Sequence, residues 1–244
     1  FLGLLLVFLV GIILILEYGP SKTARDLFVN SAMETSAGKF MATLFLSKDT
    51  IKEIQNSNKV VKTNDVTDTS LIEITDINNT DDIEVIDIKG STYKGYMAII
   101  KDPSRVTIGI SGDYGYDKKG KTVSELAKKY NAILAVNGGG FEDENGMGNG
   151  GTPIGIVISN GKIVYGSESK KYELIGFDKN NKLIIGNMTG KEAIEKNVRD
   201  ALSFGPILIL NGTPAKVKGA GSGLNPRTAI GQRKDGTVLL LVID

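Results

Sequence analysis

Short apolar or alternating segments follow one another from Ile83 to the end of the chain, and glycine, asparagine or aspartate separates most of them. This pattern is typical of β-strands joined by tight turns. Asn160-Gly161 lies between two such segments and is a strong signal for a two-residue hairpin turn. Within this region helical patterns appear only at 123–130 and 190–201, so we predict an α+β domain with mixed, mostly antiparallel sheets and a few helices. The predicted strands are 83–88, 93–100, 105–111, 132–136, 154–159, 162–165, 172–177, 183–186, 206–210, 227–231 and 237–243.

The chain opens with an uncharged, almost wholly apolar run from Phe1 to Leu16. Sixteen residues fall short of the roughly 20 that span a bilayer, and the core of a signal peptide is the main alternative. No small-residue cleavage site follows Leu16. We therefore predict that residues 1–18 form an uncleaved transmembrane anchor, which makes the protein a single-pass protein of the cell membrane.

Two further segments precede the strand-rich region. Residues 19–55 carry apolar side chains at spacings of three and four, which predicts a helical juxtamembrane arm. Residues 56–82 are rich in Asn, Asp, Thr and Lys and show little periodicity, as expected of a polar linker. We place the domain boundary near residue 80, so that residues 83–244 form the functional domain.

Charge and composition exclude several classes of partner and of catalytic site. The chain has 29 Lys and Arg against 28 Asp and Glu, a net charge of +1, which gives no electrostatic reason to expect nucleic acid as a partner. It contains neither cysteine nor histidine. This excludes Ser-His-Asp triads, Cys-His nucleophiles and metal sites built on thiolate or imidazole. Any reaction must use carboxylates, amides, hydroxyls, Lys, Arg or Tyr.

The segment 135–141 is an apolar strand that runs into an asparagine and three glycines. Asn137 can orient a polar group of a ligand, because its carboxamide has both donors and an acceptor. Gly138, Gly139 and Gly140 let the backbone approach a ligand and present amides to an anion. An asparagine that tolerates a left-handed backbone, followed by a plain tight turn, explains the same residues without a ligand.

A second polar, glycine-flanked loop leads into the strand at 227–231, and we expect the two loops to share one pocket. Arg227 suits an anionic ligand, because a guanidinium group offers a bidentate, permanently charged fork to two oxygen atoms. Asn225 precedes a proline and is held extended beside it, and Thr228 adds a hydroxyl. An ordinary surface arginine is the common alternative.

Carboxylates near these loops are the potential acids and bases. Glu142, Asp143, Glu144 and Asp113 lie in polar loops, where acidic residues are usually just solvated. Asp244 differs because it ends a very apolar strand. A divalent cation held by hard oxygen ligands such as Asp143 and Asp244 is an alternative, but no spacing indicates a metal site, so we predict no cofactor.

Several of these pieces resemble the phosphodiester glycosidase family, which includes the mannose 6-phosphate uncovering enzyme and bacterial proteins of exopolysaccharide biosynthesis. The resemblance extends from about Tyr93 to Asp244, and the ordered set of motifs is more specific than any one of them. The matching pieces are Asp102-Pro103-Ser104-Arg105, the Asn137 loop, Gly151-Thr152-Pro153-Ile154-Gly155, the strand after Gly205-Pro206, Asn225-Pro226-Arg227-Thr228 and the closing strand 238–244.

The resemblance implies a membrane-anchored hydrolase that cleaves a sugar-1-phosphodiester in an envelope polysaccharide or exopolysaccharide, with its catalytic domain on the extracytoplasmic side. It implies substrate binding by Asn137, Gly138 to Gly140, Asn225, Arg227 and Thr228. Asp244 matches the family's aspartate before a Gly-Arg pair, so we expect Asp244, Glu142 or Asp143 to supply the catalytic acid or base. A helix and a glycine-rich loop follow that pair in the family, so part of the active site is expected beyond Asp244. A non-catalytic glycan-binding or polysaccharide-assembly protein is the alternative.

Overall fold

The computed structural model describes residues 2–35, 38–75, 78–143, 147–219 and 221–244. The chain forms two compact units. The first consists of Phe1–Lys62 with Ala215–Asn225, and the second of Thr63–Pro214 with Pro226–Asp244. Every described β-strand lies in the second unit.

Four helices make up most of the first unit: α1 (Leu2–Tyr18), α2 (Lys22–Met33), α3 (Lys39–Phe45) and α4 (Lys48–Ser57). Ser21 and Ser47 cap α2 and α4, because each side-chain Oγ accepts a hydrogen bond from a backbone N–H in the first turn. The apolar residues in 19–55 recur at a helical spacing, so their side chains lie on one face of each helix. The buried core of this unit is Val29, Ala32, Ala42, Ile51 and Ile54.

The predicted membrane anchor forms α1, which has 17 residues. Among the residues that the structure describes, no single helix combines the length and hydropathy of a membrane span. The pair α1 and α2 meets those criteria together, with a bend of 114° between the two helices. The predicted membrane helix is therefore not confirmed.

The first unit includes a second, distant stretch of chain. Val60 and Val217 form an isolated antiparallel bridge. The backbone N–H of Leu224 donates a 2.8 Å hydrogen bond to Ser31 Oγ, between residues 193 positions apart. Residues 215–225 thus complete the fold of the helical segment.

The second unit contains a four-stranded and a five-stranded sheet, and all strand pairs in both are antiparallel. The four-stranded sheet has the order β1 (Ile83–Lys89), β2 (Lys94–Ile100), β13 (Val238–Ile243) and β12 (Arg227–Gln232). The five-stranded sheet has the order β6 (Lys162–Tyr165), β5 (Val157–Ser159), β9 (Val198–Ser203), β7 (Lys171–Asp178) and β8 (Leu183–Thr189). These sheets confirm the predicted α+β class with antiparallel pairing.

Side chains from both sheets meet in one cluster, which we call the inner core: Ala98, Ile100, Phe177, Leu183, Val238 and Leu240. The other face of the five-stranded sheet packs on a second cluster that includes Ile156, Ile158 and Leu174. The smaller elements are α5 (Val123–Lys129), α6 (Gly190–Glu195), the pair β3 (Gly140–Phe141) with β4 (Pro153–Ile154), the pair β10 (Ile209–Leu210) with β11 (Thr213–Pro214), and 3₁₀ turns at Thr69–Leu71 and Pro103–Arg105.

Residues of the predicted polar linker make specific contacts in the second unit. Thr67 exchanges hydrogen bonds with the backbone of Ile185, at 2.9 Å and 2.8 Å. The Asn78 side chain donates to the carbonyls of Lys101 and Asp235, at 2.8 Å and 2.9 Å. The compact units divide between Lys62 and Thr63, whereas the sequence pattern places a linker over 56–82. The assignment of the functional domain to 83–244 stays a prediction.

Several predicted elements differ from the structure. Residues 106–111 and 132–138 are not assigned to strands, although Val106, Leu134 and Val136 pack against the inner core. The helix predicted over 190–201 ends at Glu195, and Asn197 then adopts a left-handed conformation with φ of 56°. The following residues form β9, which lies between β5 and β7.

The hairpin predicted at Asn160-Gly161 is confirmed. It joins β5 to β6, with Ser159 paired to Lys162. Asn160 and Gly161 have φ values of 51° and 72°. Two successive positive φ values are characteristic of the type I′ turn, which matches the twist of the flanking strands.

Gly161→Ala is expected to lower the free energy of unfolding by about 1–2 kcal/mol, because an alanine is strained in a left-handed conformation. No atom lies within 4 Å of an added β-carbon there, so the cost is conformational. Gly231→Ala is the matched control, since Gly231 also has open space but no left-handed φ. Urea denaturation of both variants tests this, and equal stability would contradict it.

Candidate functional site

The asparagine loop starts where an extended segment leaves the inner core. Leu134 and Val136 pack against that core, while Ala135 between them is exposed. Asn137 follows at the surface, and its Oδ1 accepts a 2.7 Å hydrogen bond from Thr228 Oγ1. This bond orients the carboxamide and directs its Nδ2 donors away from Thr228. The structure therefore brings together Asn137 and Thr228, which are 91 positions apart in the chain.

A different structural constraint accounts for each of the three glycines after Asn137. A β-carbon on Gly138 would lie 3.2 Å from Leu202 Cδ2, so this residue approaches β9 closely. Gly139 has a left-handed φ of 69°, which favours glycine. Gly140 pairs with Ile154 in the small β3–β4 sheet. The loop is thus a specific turn over the end of β9, and its predicted role in anion binding stays a prediction.

Arg227 and Thr228 begin β12, which is an edge strand of the four-stranded sheet. Since they are consecutive residues in a strand, their β-carbons point to opposite faces. Thr228 is half-buried and contacts Asn137, whereas Arg227 is exposed and donates through Nη1 to the Pro226 carbonyl at 3.3 Å. Asn225 belongs to the first unit, and its buried Nδ2 has no hydrogen-bond partner among the described residues.

Asp244 lies at the same end of the sheet as Arg227. Arg227 is paired with Ile243, and Asp244 is the next residue along β13. The backbone of Asp244 exchanges hydrogen bonds with Lys94, at 2.8 Å and 3.0 Å, and its side chain is exposed. The strand therefore fixes the backbone position of this carboxylate.

The loop acids have local structural partners. The backbone N–H of Glu142 donates to Thr152 at 2.8 Å, and Asp143 Oδ1 accepts from the N–H of Gly148 at 2.7 Å. Glu144 lies outside the described residues. Within the described ranges, no group of three Asp or Glu residues is close enough to hold a metal ion. In this part of the chain, Asp143 and Asp244 therefore do not belong to a group of three carboxylates that could bind a cation.

Glu173 was missed by sequence reasoning, which considered polar loops rather than strands. Alternation along β7 puts Glu173 on the same face as Ile175 and Phe177, and those two side chains contact the inner core. Glu173 is half-buried, and a β-carbon on Gly205 would lie 2.6 Å from its Oε1. A lone carboxylate on the inward face of a strand is the sequence signal for this residue.

Thr228→Val is expected to remove the hydrogen bond to Asn137 and to lower the free energy of unfolding by about 0.5–1.5 kcal/mol. Valine keeps the shape of threonine without its hydroxyl. Thr228→Ser keeps the hydroxyl and should retain most of this stability. Thermal melts of the two variants test the expectation, and equal losses in both would show that the hydrogen bond contributes little.

Comparison with known proteins adds three findings. Residues 130–244 match the sequence profile of a family described as phosphodiester glycosidase. The SPbeta prophage-derived uncharacterized protein YomE of Bacillus subtilis (strain 168) is 27% identical over 134 residues, which are 51% of this chain and 20% of that protein. The chain thus spans about a fifth of that relative's length.

Among solved structures, the chain is similar to the zebrafish N-acetylglucosamine-1-phosphodiester alpha-N-acetylglucosaminidase catalytic domain auto-inhibited by its pro-peptide. The identity is 23%, the TM-score is 0.49, and the match covers 67% of this chain and 60% of that one. The family profile includes the Asn137 loop, β12 and β13, but not the predicted motif at 102–105. Over residues 130–244, the chain is therefore similar to the phosphodiester glycosidase family.

Proposed function

We propose that this protein takes part in hydrolysis of sugar-1-phosphodiesters, releasing a free sugar and a phosphomonoester. The observation that carries this proposal is the family match over residues 130–244, which contain the Asn137 loop and the strand that places Thr228 against it. The absence of histidine and cysteine is consistent with a glycosidase, because glycoside cleavage commonly uses carboxylates.

Asn137 and Thr228 form the polar centre of the proposed site. The hydroxyl of Thr228 holds the Asn137 carboxamide by its oxygen, so the Nδ2 donors are oriented toward a bound oxygen of sugar or phosphate. Gly138 and Gly139 keep the adjacent surface free of side chains. A ligand can therefore lie against the backbone of this loop.

Charged groups at the end of the four-stranded sheet are the remaining parts of the proposed site. We propose that Arg227, whose side chain leaves β12 on the face opposite to Thr228, provides a permanent positive charge for the phosphodiester. Asp244, one residue beyond the partner of Arg227, is a carboxylate for acid or base chemistry. Glu142 and Asp143 follow the glycine loop directly and are further acid or base groups.

For cellular location, we propose attachment to the cell membrane through residues 1–18, with the family domain outside the cytoplasm. The uncharged apolar run from Phe1 to Leu16 supports this. The substrate would then be a phosphodiester-linked sugar of an envelope polysaccharide or exopolysaccharide. Sedimentation of the full chain with membranes after alkaline extraction is the expected result, and recovery in the supernatant would contradict it.

The function is tested by incubating the full chain with a panel of sugar-1-phosphodiesters and measuring free sugar and phosphomonoester. We expect stoichiometric release of both products from at least one member. Cleavage to a sugar phosphate instead would show a phosphodiesterase of another type. Binding of these compounds without turnover would favour the non-catalytic glycan-binding alternative.

A further inference from the structure

We propose that Glu173 is the general base of this site, accepting a proton from the water that attacks the anomeric carbon. The inference rests on the proposed function and adds a residue to it. Its carboxylate lies on a strand rather than in a loop: Glu173 is paired with Asn187 of β8, and the pairing of β7 with β9 begins at the next residue, Leu174. Groups held on such strands are positioned more accurately than groups on loops.

A chain of contacts connects Glu173 to the asparagine loop. Asn137 accepts the hydrogen bond of Thr228, and the next residue, Gly138, lies against Leu202 of β9. Three residues beyond Leu202, the backbone of Gly205 lies against the Glu173 carboxylate. Gly138 and Gly205 are both exposed. The loop, the end of β9 and the carboxylate thus form one continuous surface open to solvent.

Gly205 preserves the space that the carboxylate occupies. A β-carbon at this position would lie 2.6 Å from Glu173 Oε1 and 3.3 Å from its Cδ. Any side chain on residue 205 would therefore displace the carboxylate. Since Oε1 is the end of a flexible side chain, that displacement costs little stability.

The other carboxylates on these strands have structural roles. Asp178 Oδ1 accepts hydrogen bonds from the N–H groups of Asn180 and Lys182, at 2.9 Å and 2.8 Å, within its own turn. Asp200 is 2% exposed. Its carboxylate accepts from Thr107 Oγ1 and from the backbone of Asn160. Both are removed from solvent, whereas Glu173 is half-buried beside an exposed glycine.

The chemistry favours a base at this position over an acid. As water bonds to the anomeric carbon, its proton passes to the Glu173 carboxylate, and the bond from that carbon to the phosphate oxygen breaks. The electron pair leaves with the phosphomonoester, whose second pKa is about 6. Such a leaving group departs at neutral pH without protonation. The attacking water, by contrast, is activated by a base that accepts its proton, and this increases the rate about 10²–10⁴-fold.

The test uses the full chain and the phosphodiester that it cleaves fastest. Glu173→Gln is expected to lower kcat about 10²–10⁴-fold with little change in KM or melting temperature. Sodium formate should restore part of the activity of Glu173→Ala, because it can supply an external carboxylate in the vacated space. Glu195→Gln is the control, since Glu195 is an exposed residue paired with Lys191 on α6.

Gly205→Ala gives a second measurement that leaves the charge in place. It should lower kcat by displacing the carboxylate, and it should have no further effect in the Glu173→Gln background. An unchanged kcat in Glu173→Gln overturns the inference, as does a Gly205→Ala effect of equal size in both backgrounds. Failure of formate to restore a folded Glu173→Ala variant also overturns it. If the wild-type chain cleaves no sugar phosphodiester, the proposed function itself fails.

Discussion

Replacing Arg227 by alanine is expected to lower kcat/KM about tenfold to a hundredfold. A hydrogen bond to a charged group contributes about 1.5–3 kcal/mol, and each 1.36 kcal/mol corresponds to a factor of about ten. Arg227→Lys should recover little of this loss, because an ammonium group cannot reproduce the planar fork of a guanidinium. Initial rates on a sugar phosphodiester give the measurement.

Arg233→Ala is the matched control for Arg227→Ala. Arg233 follows β12 directly, is exposed, and forms a 2.8 Å ion pair with Asp235. Removing it should leave kcat/KM and the melting temperature nearly unchanged, because exposed ion pairs contribute about 0–1 kcal/mol. Normal kinetics in a folded Arg227→Ala variant would exclude phosphate binding by Arg227. A loss of stability without a kinetic effect would make it a structural residue.

The largest stability effect is expected from Asp200→Ala, at about 3–5 kcal/mol. The Asp200 side chain is 3% exposed and forms an ion pair with Arg199, whose side chain is 21% exposed. Asp200 also accepts hydrogen bonds from Thr107 and from the backbone of Asn160. Its removal leaves a partly buried guanidinium without its carboxylate, and two further donors lose their acceptor.

Asp235→Ala is the comparison for Asp200→Ala, since it also breaks an Arg-Asp pair but at an exposed site. The side chains of Arg233 and Asp235 are 56% and 45% exposed. Urea denaturation should show a loss of about 0–1 kcal/mol for Asp235→Ala. A similar, small loss in both variants would mean that the buried network around Asp200 does not stabilise the fold.

Local patterns predicted those elements whose structure depends on neighbouring residues. Two residues, Asn160 and Gly161, specify their turn because both tolerate positive φ. The short segment 172–177 predicted most of β7, which extends from Lys171 to Asp178. In each case the information lies within a few positions of the element.

Elements that depend on distant partners were predicted less well. The segment 132–136 has the composition of a strand, but a strand is assigned only where the backbone forms hydrogen bonds to another strand. A local sequence pattern does not show whether such a partner strand is present. Residues 198–201 read as the end of a helix. They form β9 because β5 and β7 lie on either side of it, so tertiary pairing overrides local propensity.

The candidate site likewise contains residues that local patterns predicted and one residue that they did not. Asn137 and Thr228 were each predicted from their own loops, and a hydrogen bond joins their side chains in the structure. Their role in substrate binding stays a prediction. Glu173 was missed because acids were sought in loops. Its inward position on a strand is visible in the local pattern, but its contact with Gly205, 32 positions away, is not. The roles of Arg227, Asn225 and the loop acids stay predictions.

The first unit has a consequence for the order in which this protein folds during its synthesis. Its helical segment is translated first, yet Ser31 accepts a hydrogen bond from Leu224, 193 positions later. Ribosomes add about 5–20 residues per second. The helices therefore emerge tens of seconds at most before their closing segment, with part of their fold unfinished. A chaperone that binds nascent chains should contact this segment until residue 225 has left the ribosome.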